Sequence, residues 1–207
     1  MKELNIQGNP GQGNSFTEVN MDGGSYNPNA HDVHHHHYGN ATRMASDFQR
    51  LRQEILNGVS SETIDELKQY ITVLDGTRKF EEKLEDGGFK PAKIEEASRL
   101  MLLYAKKAEK LDCYPAAQQI FSDLFASIRH EFYDSVFPLI EDGESLRTVM
   151  TAIRTNIVKP IMKRLNDNGA YDEEMHLTED HIYGMLYYLT GMCHINWVDY
   201  ELSLIHI

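Results

Sequence analysis

The sequence predicts an all-α protein: roughly six helices packed antiparallel around one core, preceded by an extended, strand-forming arm rich in glycine and asparagine. Three observations carry that expectation. Residues 1–40 hold seven Asn and six Gly but a single leucine, Leu4, which is too little apolar surface for a helical core. From Met44 onward apolar residues recur every three or four positions, the period of one helix face. The stripes are separated by short connections carrying Gly, Asn or Pro, which favours antiparallel neighbours.

In the arm, GNPGQGN, DGG and YNPN are turn sequences, because Gly and Asn tolerate positive φ and Pro fixes it. Between them SFTEVNM (15–21) and HDVHHHHY (31–38) are expected strands. The arm is taken as residues 1–41 and the helical domain as 42–201.

The first helix carries Met44, Phe48, Leu51 and Ile55, and Asn57-Gly58 stops it. Ser60 or Ser61 is expected to cap a second, with Ile64, Leu67, Ile71 and Leu74 in register. A weaker continuation runs through a bend at Gly76 to Phe80 and Leu84, and Gly87-Gly88 ends it. Pro91 suits a first helical turn, and Ile94, Ala97, Met101, Tyr104, Ala108 and Leu111 follow as the cleanest stripe. After Cys113-Tyr114-Pro115 the fourth helix carries Ala117, Phe121, Leu124, Ile128, Phe132 and Val136, until Pro138 kinks or ends it. The fifth has Leu146, Val149, Ile153, Ile157, Ile161 and Leu165, with a kink at Pro160 and a stop at Asn168-Gly169. The sixth begins near Thr178 and presents Ile182, Met185, Leu186, Leu189, Met192 and Cys193.

The balance of 20 Lys and Arg against 32 Asp and Glu leaves a formal charge of -12. Direct nucleic-acid binding is thereby disfavoured, since a phosphate backbone is held mainly by cations. The most apolar stretch, IYGMLYYLTGMCHINWV (182–198), falls short of the ~20 residues of a membrane span and contains His194 and Asn196, so it reads as a buried helix. With no apolar leader at MKELNIQGNP, the expected location is the cytoplasm. Cys113 and Cys193 have no CxxC partner and read as two reduced thiols.

No complete catalytic motif is present, and no cofactor is expected. His130-Glu131 starts an HExxH pattern, but Asp134 stands where the second histidine belongs. GNPGQGN lacks the GK[ST] ending of a phosphate loop. On a strand His34 and His36 would share a face, and with Asp32 they are the residues of a metal-site alternative, although zinc ordinarily takes three or four protein ligands. The reading favoured by the residues is a surface or interface strand.

Three segments, YPAAQQIFSDLFASIRHEF (114–132), IVKPIMKRLNDNG (157–169) and GMLYYLTGMCHINW (184–197), resemble the helical C-terminal domains of prokaryotic ABC three-component conflict systems. In that family an ABC ATPase works with a small middle component and an effector, and a domain of this kind tethers the effector. Effectors there carry an enzymatic domain upstream, for which residues 1–40 are too short. The resemblance therefore implies an adaptor of an antiviral defence system, with an ABC ATPase, middle component or separate effector as protein partner and no catalytic residue to carry across. The terminal LSLIHI resembles a translated sequencing adapter, so residues 202–207 are expected to be a non-native tail.

The expected protein is a non-enzymatic, homo-oligomeric adaptor. Self-association is assigned to the apolar residues of the arm, Phe16, Val19, Met21, Val33 and Tyr38, whose strands need backbone partners. Partner binding is assigned to Gly184, Tyr187, Tyr188, Gly191, His194 and Trp197. Each of the two glycines costs the helix about 1 kcal/mol relative to alanine, so close packing on one face must offset it, either inside the protein or in a partner groove. The rival readings are a metal-dependent enzyme built on His34 and His36 with a carboxylate such as Asp32 or Asp180, and a structural assembly protein.

Overall fold

The computed structural model describes residues 42–74, 78–169 and 172–198. All of them fall in the second of the two units into which the chain divides, 40–207. The expected arm strands, the histidine run and the tail at 202–207 lie outside the described residues. Among those residues are seven helices and no strand: α1 (Arg43–Asn57), α2 (Asp65–Ile71), α3 (Phe80–Asp86), α4 (Pro91–Glu109), α5 (115–141), α6 (146–168) and α7 (Glu179–Gly191). The all-α expectation holds, with seven helices in place of six.

Helix α1 starts as its sequence dictates. Thr42 Oγ1 accepts from the Ala45 amide at 3.2 Å, and Gly58 closes the other end at φ 63°, a conformation open to glycine without a Cβ clash. Near that end the Glu54 carboxylate reaches across to accept from the Ala116 amide at 2.9 Å, capping α5 behind its first-turn Pro115.

The expected second helix is two helices, α2 and α3, and neither Ser60 nor Ser61 caps it. Ile64 is the residue before α2, and its amide donates to the side chain of Gln118 at 2.6 Å. Gln118 lies fully buried on α5 and also donates to the Asp112 and Glu62 carbonyls. One long-range amide thus replaces the local hydroxyl cap. The break after α2 has a tertiary cause too: Thr72 turns to extended backbone, its carbonyl accepts from His194 Nε2 at 3.1 Å, and the Leu74 amide donates to Met192 O at 3.2 Å.

Helices α4 and α7 form the most extensive pair in the core. They run antiparallel, with Lys107 beside His181 at one end and Glu96 beside Tyr187 at the other. Burying Ile94 and Leu100 on α4 and Ile182, Met185 and Leu189 on α7 contributes about 1.5–3 kcal/mol for each side chain. Thr178 begins α7 as expected, its amide donating to His181 Nδ1 at 3.2 Å.

Pro138 and Pro160 end neither of their helices. In α5 the backbone widens to a π-helix over Phe132–Val136 before continuing as Phe137–Glu141, and α6 does the same over Ile153–Val158 before Lys159–Asn168. Each wide segment stops two residues ahead of its proline. Proline lacks an N–H and its ring crowds the carbonyl four residues back, here Asp134 or Asn156, both inside the π segments. The i→i+5 bonds from Phe137 N to Phe132 O and from Lys159 N to Arg154 O accommodate that change without breaking the rod.

Candidate functional site

The six residues expected to bind a partner lie around α7 and the turn that follows it, and most of them are interior. Trp197 is 1% exposed, its ring 4.7 Å from Phe89 and 5.5 Å from Phe132, with Nε1 donating to Thr190 Oγ1 at 3.1 Å. Tyr187 is buried edge-on to Phe80 and Phe89. Tyr188 is half-buried, stacked on Phe125 and edge-on to Tyr104. Gly184 is pressed against α4: a Cβ there would lie 2.3 Å from the Leu100 carbonyl oxygen. Gly191 is different, since its Cβ would meet only Met101 Sδ at 3.6 Å and Phe80 at 4.0 Å.

His194 links this buried group to the surface. Its bond to Thr72, together with Leu74 to Met192, fixes residues 72–74 as a short extended strap along the end of α7. The last residue of α2 and the strap turn apolar side chains outward: Ile71 is 39%, Val73 51% and Leu74 63% exposed. Surface apolar residues scattered singly need no explanation, but three within four positions on a pinned backbone form a patch. The helical spacing of Ile71 and Leu74 hides this patch in the sequence, because the contacts that turn the backbone at 72–74 come from His194 and Met192.

Burial pushes the pKa of His194 below its ordinary 6.5, helped by the nearby Arg129 and opposed by the bond to Thr72. His181 is also lowered, first by burial and then by Lys107. Near pH 6.5 the unfolded chain therefore binds more protons than the folded one. The stability tied to these neutral imidazoles is complete above that pH and is lost as pH falls below it. Thermal melts at about pH 7.5 and about pH 5.5 should show the wild-type protein losing several degrees, and His194→Gln, which keeps a donor for Thr72, losing less.

On another face, an open cleft of about 470 Å³ lies between the start of α1, the middle of α5 and the end of α6. Its walls carry Arg43, Asp123, Ser127, Arg164 and Asn168. Arg43 pairs with Asp123 at 3.6 Å, Arg164 donates to Ser127 Oγ at 3.0 Å, and Asn168 bonds Thr42. These groups largely satisfy one another. Among the described residues no group of three or more His, Cys, Asp or Glu is placed to hold a metal ion, and no helix is long and apolar enough to cross a membrane.

The sequence pattern of the family described as C-terminal domain 9 of the ABC-three component systems matches residues 79–197, more than half of the chain. The chain belongs to this family. The C-terminal domain 9 span takes in α3 to α7 and ends on Trp197, the residue that closes the aromatic core. All three segments that carry the family resemblance lie inside it. As a component domain of a prokaryotic ABC-three component system, the protein belongs to a multi-component system with protein partners. Helices α1 and α2 and the strap at 72–74 precede the matched residues. Neither a curated protein nor a solved structure matches the chain.

Proposed function

We propose that the protein is a non-enzymatic adaptor of its defence system, which docks an ATPase or effector partner on the apolar strap and self-associates through its N-terminal arm. The observation that carries the docking surface is the exposure of Ile71, Val73 and Leu74 on a backbone pinned by His194 and Met192. Interface cores are built from such apolar clusters on preorganised backbone, where little entropy remains to be lost on binding. In this reading Gly184, Tyr187, Tyr188, Gly191, His194 and Trp197 act from beneath, holding α7 and the following turn rigid under the strap. Self-association is assigned to Phe16, Val19, Met21, Val33 and Tyr38.

The test is the combined variant Ile71→Ser/Val73→Ser/Leu74→Glu, titrated against the ABC ATPase, the middle component and any effector encoded beside the gene. Binding should weaken at least tenfold, a loss of about 1.4 kcal/mol or more, with melting unchanged within about 2 °C because these side chains are exposed. Wild-type affinity of the variant for every component would overturn the surface. Light scattering on the full chain and on residues 42–207 addresses the arm, and a monomer in both would remove self-association from the proposal.

A further inference from the structure

Lys83 projects from α3 into the interior and is 3% exposed, yet among the described residues no carboxylate pairs with it. A buried charge ordinarily finds a counter-charge or neutralises. The Lys83 amine instead donates to the Thr190 carbonyl at 2.9 Å and lies 2.8 Å from the sulfur of Cys193. The sulfur atom is larger than oxygen, but here the N···S separation is no longer than the N···O one. Cys193 is held in that place by backbone at φ 64°, a left-handed conformation that a side-chain-bearing residue rarely adopts. Its thiol is half-buried, within reach of a small oxidant.

We propose that Lys83 and Cys193 form a redox-controlled covalent site, in which peroxide places a single oxygen atom between the lysine nitrogen and the cysteine sulfur. In the first step the sulfur attacks one peroxide oxygen. The O–O bond breaks, an S–O bond forms, sulfur is oxidised by two electrons to the sulfenic acid, and the thiol proton leaves in one water. In the second, the lysine nitrogen is oxidised by two electrons as a second peroxide is reduced to two waters. An N–O bond forms, and the sulfenic hydroxyl proton and one amine proton leave in those two waters, one in each. Overall one thiol, one amine and two peroxides give the N–O–S bridge and three waters. The present separation suits a bridging oxygen, whereas a direct S–N bond requires the two atoms to approach much closer. Such a bridge joins α3 to the turn after α7 across 110 residues of sequence, and its chemistry requires nothing of the docking surface proposed above.

The experiment is accurate mass measurement and peptide mapping of the full chain after mild peroxide treatment, with and without dithiothreitol. The expected product gains one oxygen and loses two hydrogens, links the peptides containing Lys83 and Cys193, reverts with dithiothreitol, and melts roughly 10 °C higher as a long loop is closed. Neither Cys193→Ser nor Lys83→Met should yield it. A linked product lacking the oxygen would overturn the bridging atom. Sulfenic or sulfinic acid at Cys193 with Lys83 unmodified, or no change at either residue, would overturn the site.

Discussion

Gly184→Ala is expected to lower the melting temperature by roughly 10 °C, whereas Gly191→Ala should leave it within about 2 °C of wild type. The methyl group added at 184 would lie 2.3 Å from the Leu100 carbonyl oxygen and 2.8 Å from Tyr104 Cβ. Both are fixed parts of α4, so the neighbour cannot swing aside and the two helices must separate. Overpacking of this kind costs about 1–3 kcal/mol and more where backbone is involved, against a gain of about 1 kcal/mol in helix propensity. At 191 the nearest atom is the flexible end of Met101 at 3.6 Å, ordinary contact. Circular dichroism melts of the two variants decide the matter, and equal melting temperatures would show that α4 and α7 do not approach as described.

Trp197→Ala should be the most damaging single truncation, at about 3–5 kcal/mol. The ring fills the space between Phe89, Phe132 and Tyr187, its Cβ lies 2.6 Å from where a side chain on Gly87 would begin, and its indole N–H is bonded to Thr190. Trp197→Phe keeps part of the packing and loses only the larger ring and the hydrogen bond, so it should fall between alanine and wild type. Because Trp197 is the only tryptophan, its fluorescence reports the core directly. A blue-shifted native emission that moves red in step with loss of helicity is expected, and native emission already at the wavelength of free indole would contradict its burial.

What was legible in the sequence was local. The stop at Asn57-Gly58, the Pro91 and Pro115 starts, the Thr178 start and most of the α4 stripe each depend on residues within a turn or two and stand where the spacing put them, although Leu111 lies beyond α4 and Leu100 is buried more deeply than Met101. The break between α2 and α3 was not legible. Ile64, Leu67, Ile71 and Leu74 keep helical spacing, but the backbone at 72–74 is bound by His194 and Met192, more than a hundred positions away, and no window of sequence contains both partners. Gln118 and Lys83 show the same limit, as polar residues at positions a helical pattern assigns to no particular role, buried by partners on other helices. At Gly184 the sequence announced a close approach, but left open whether the approaching group would be internal. It is the carbonyl of Leu100.

The two π segments have a consequence for how these long helices can vary in length. Core residues in α6 fall at 149, 153, 157, 161 and 165, each buried, in uniform steps of four. A helix of 3.6 residues per turn drifts by about 40° with every such step, so four steps in strict α geometry would carry Leu165 nearly to the face opposite Val149. The wide turn takes up part of that drift by spending an additional residue without advancing the face. Removing one residue from 153–158 would therefore leave the flanks nearly in phase, while removing one from 161–165 would rotate everything beyond it by about 100°. Pro160 limits even the first change, since closing the turn brings its ring against the carbonyl four back. In this helix the proline and the surplus residue form one unit, and a shorter relative is expected to have lost both together.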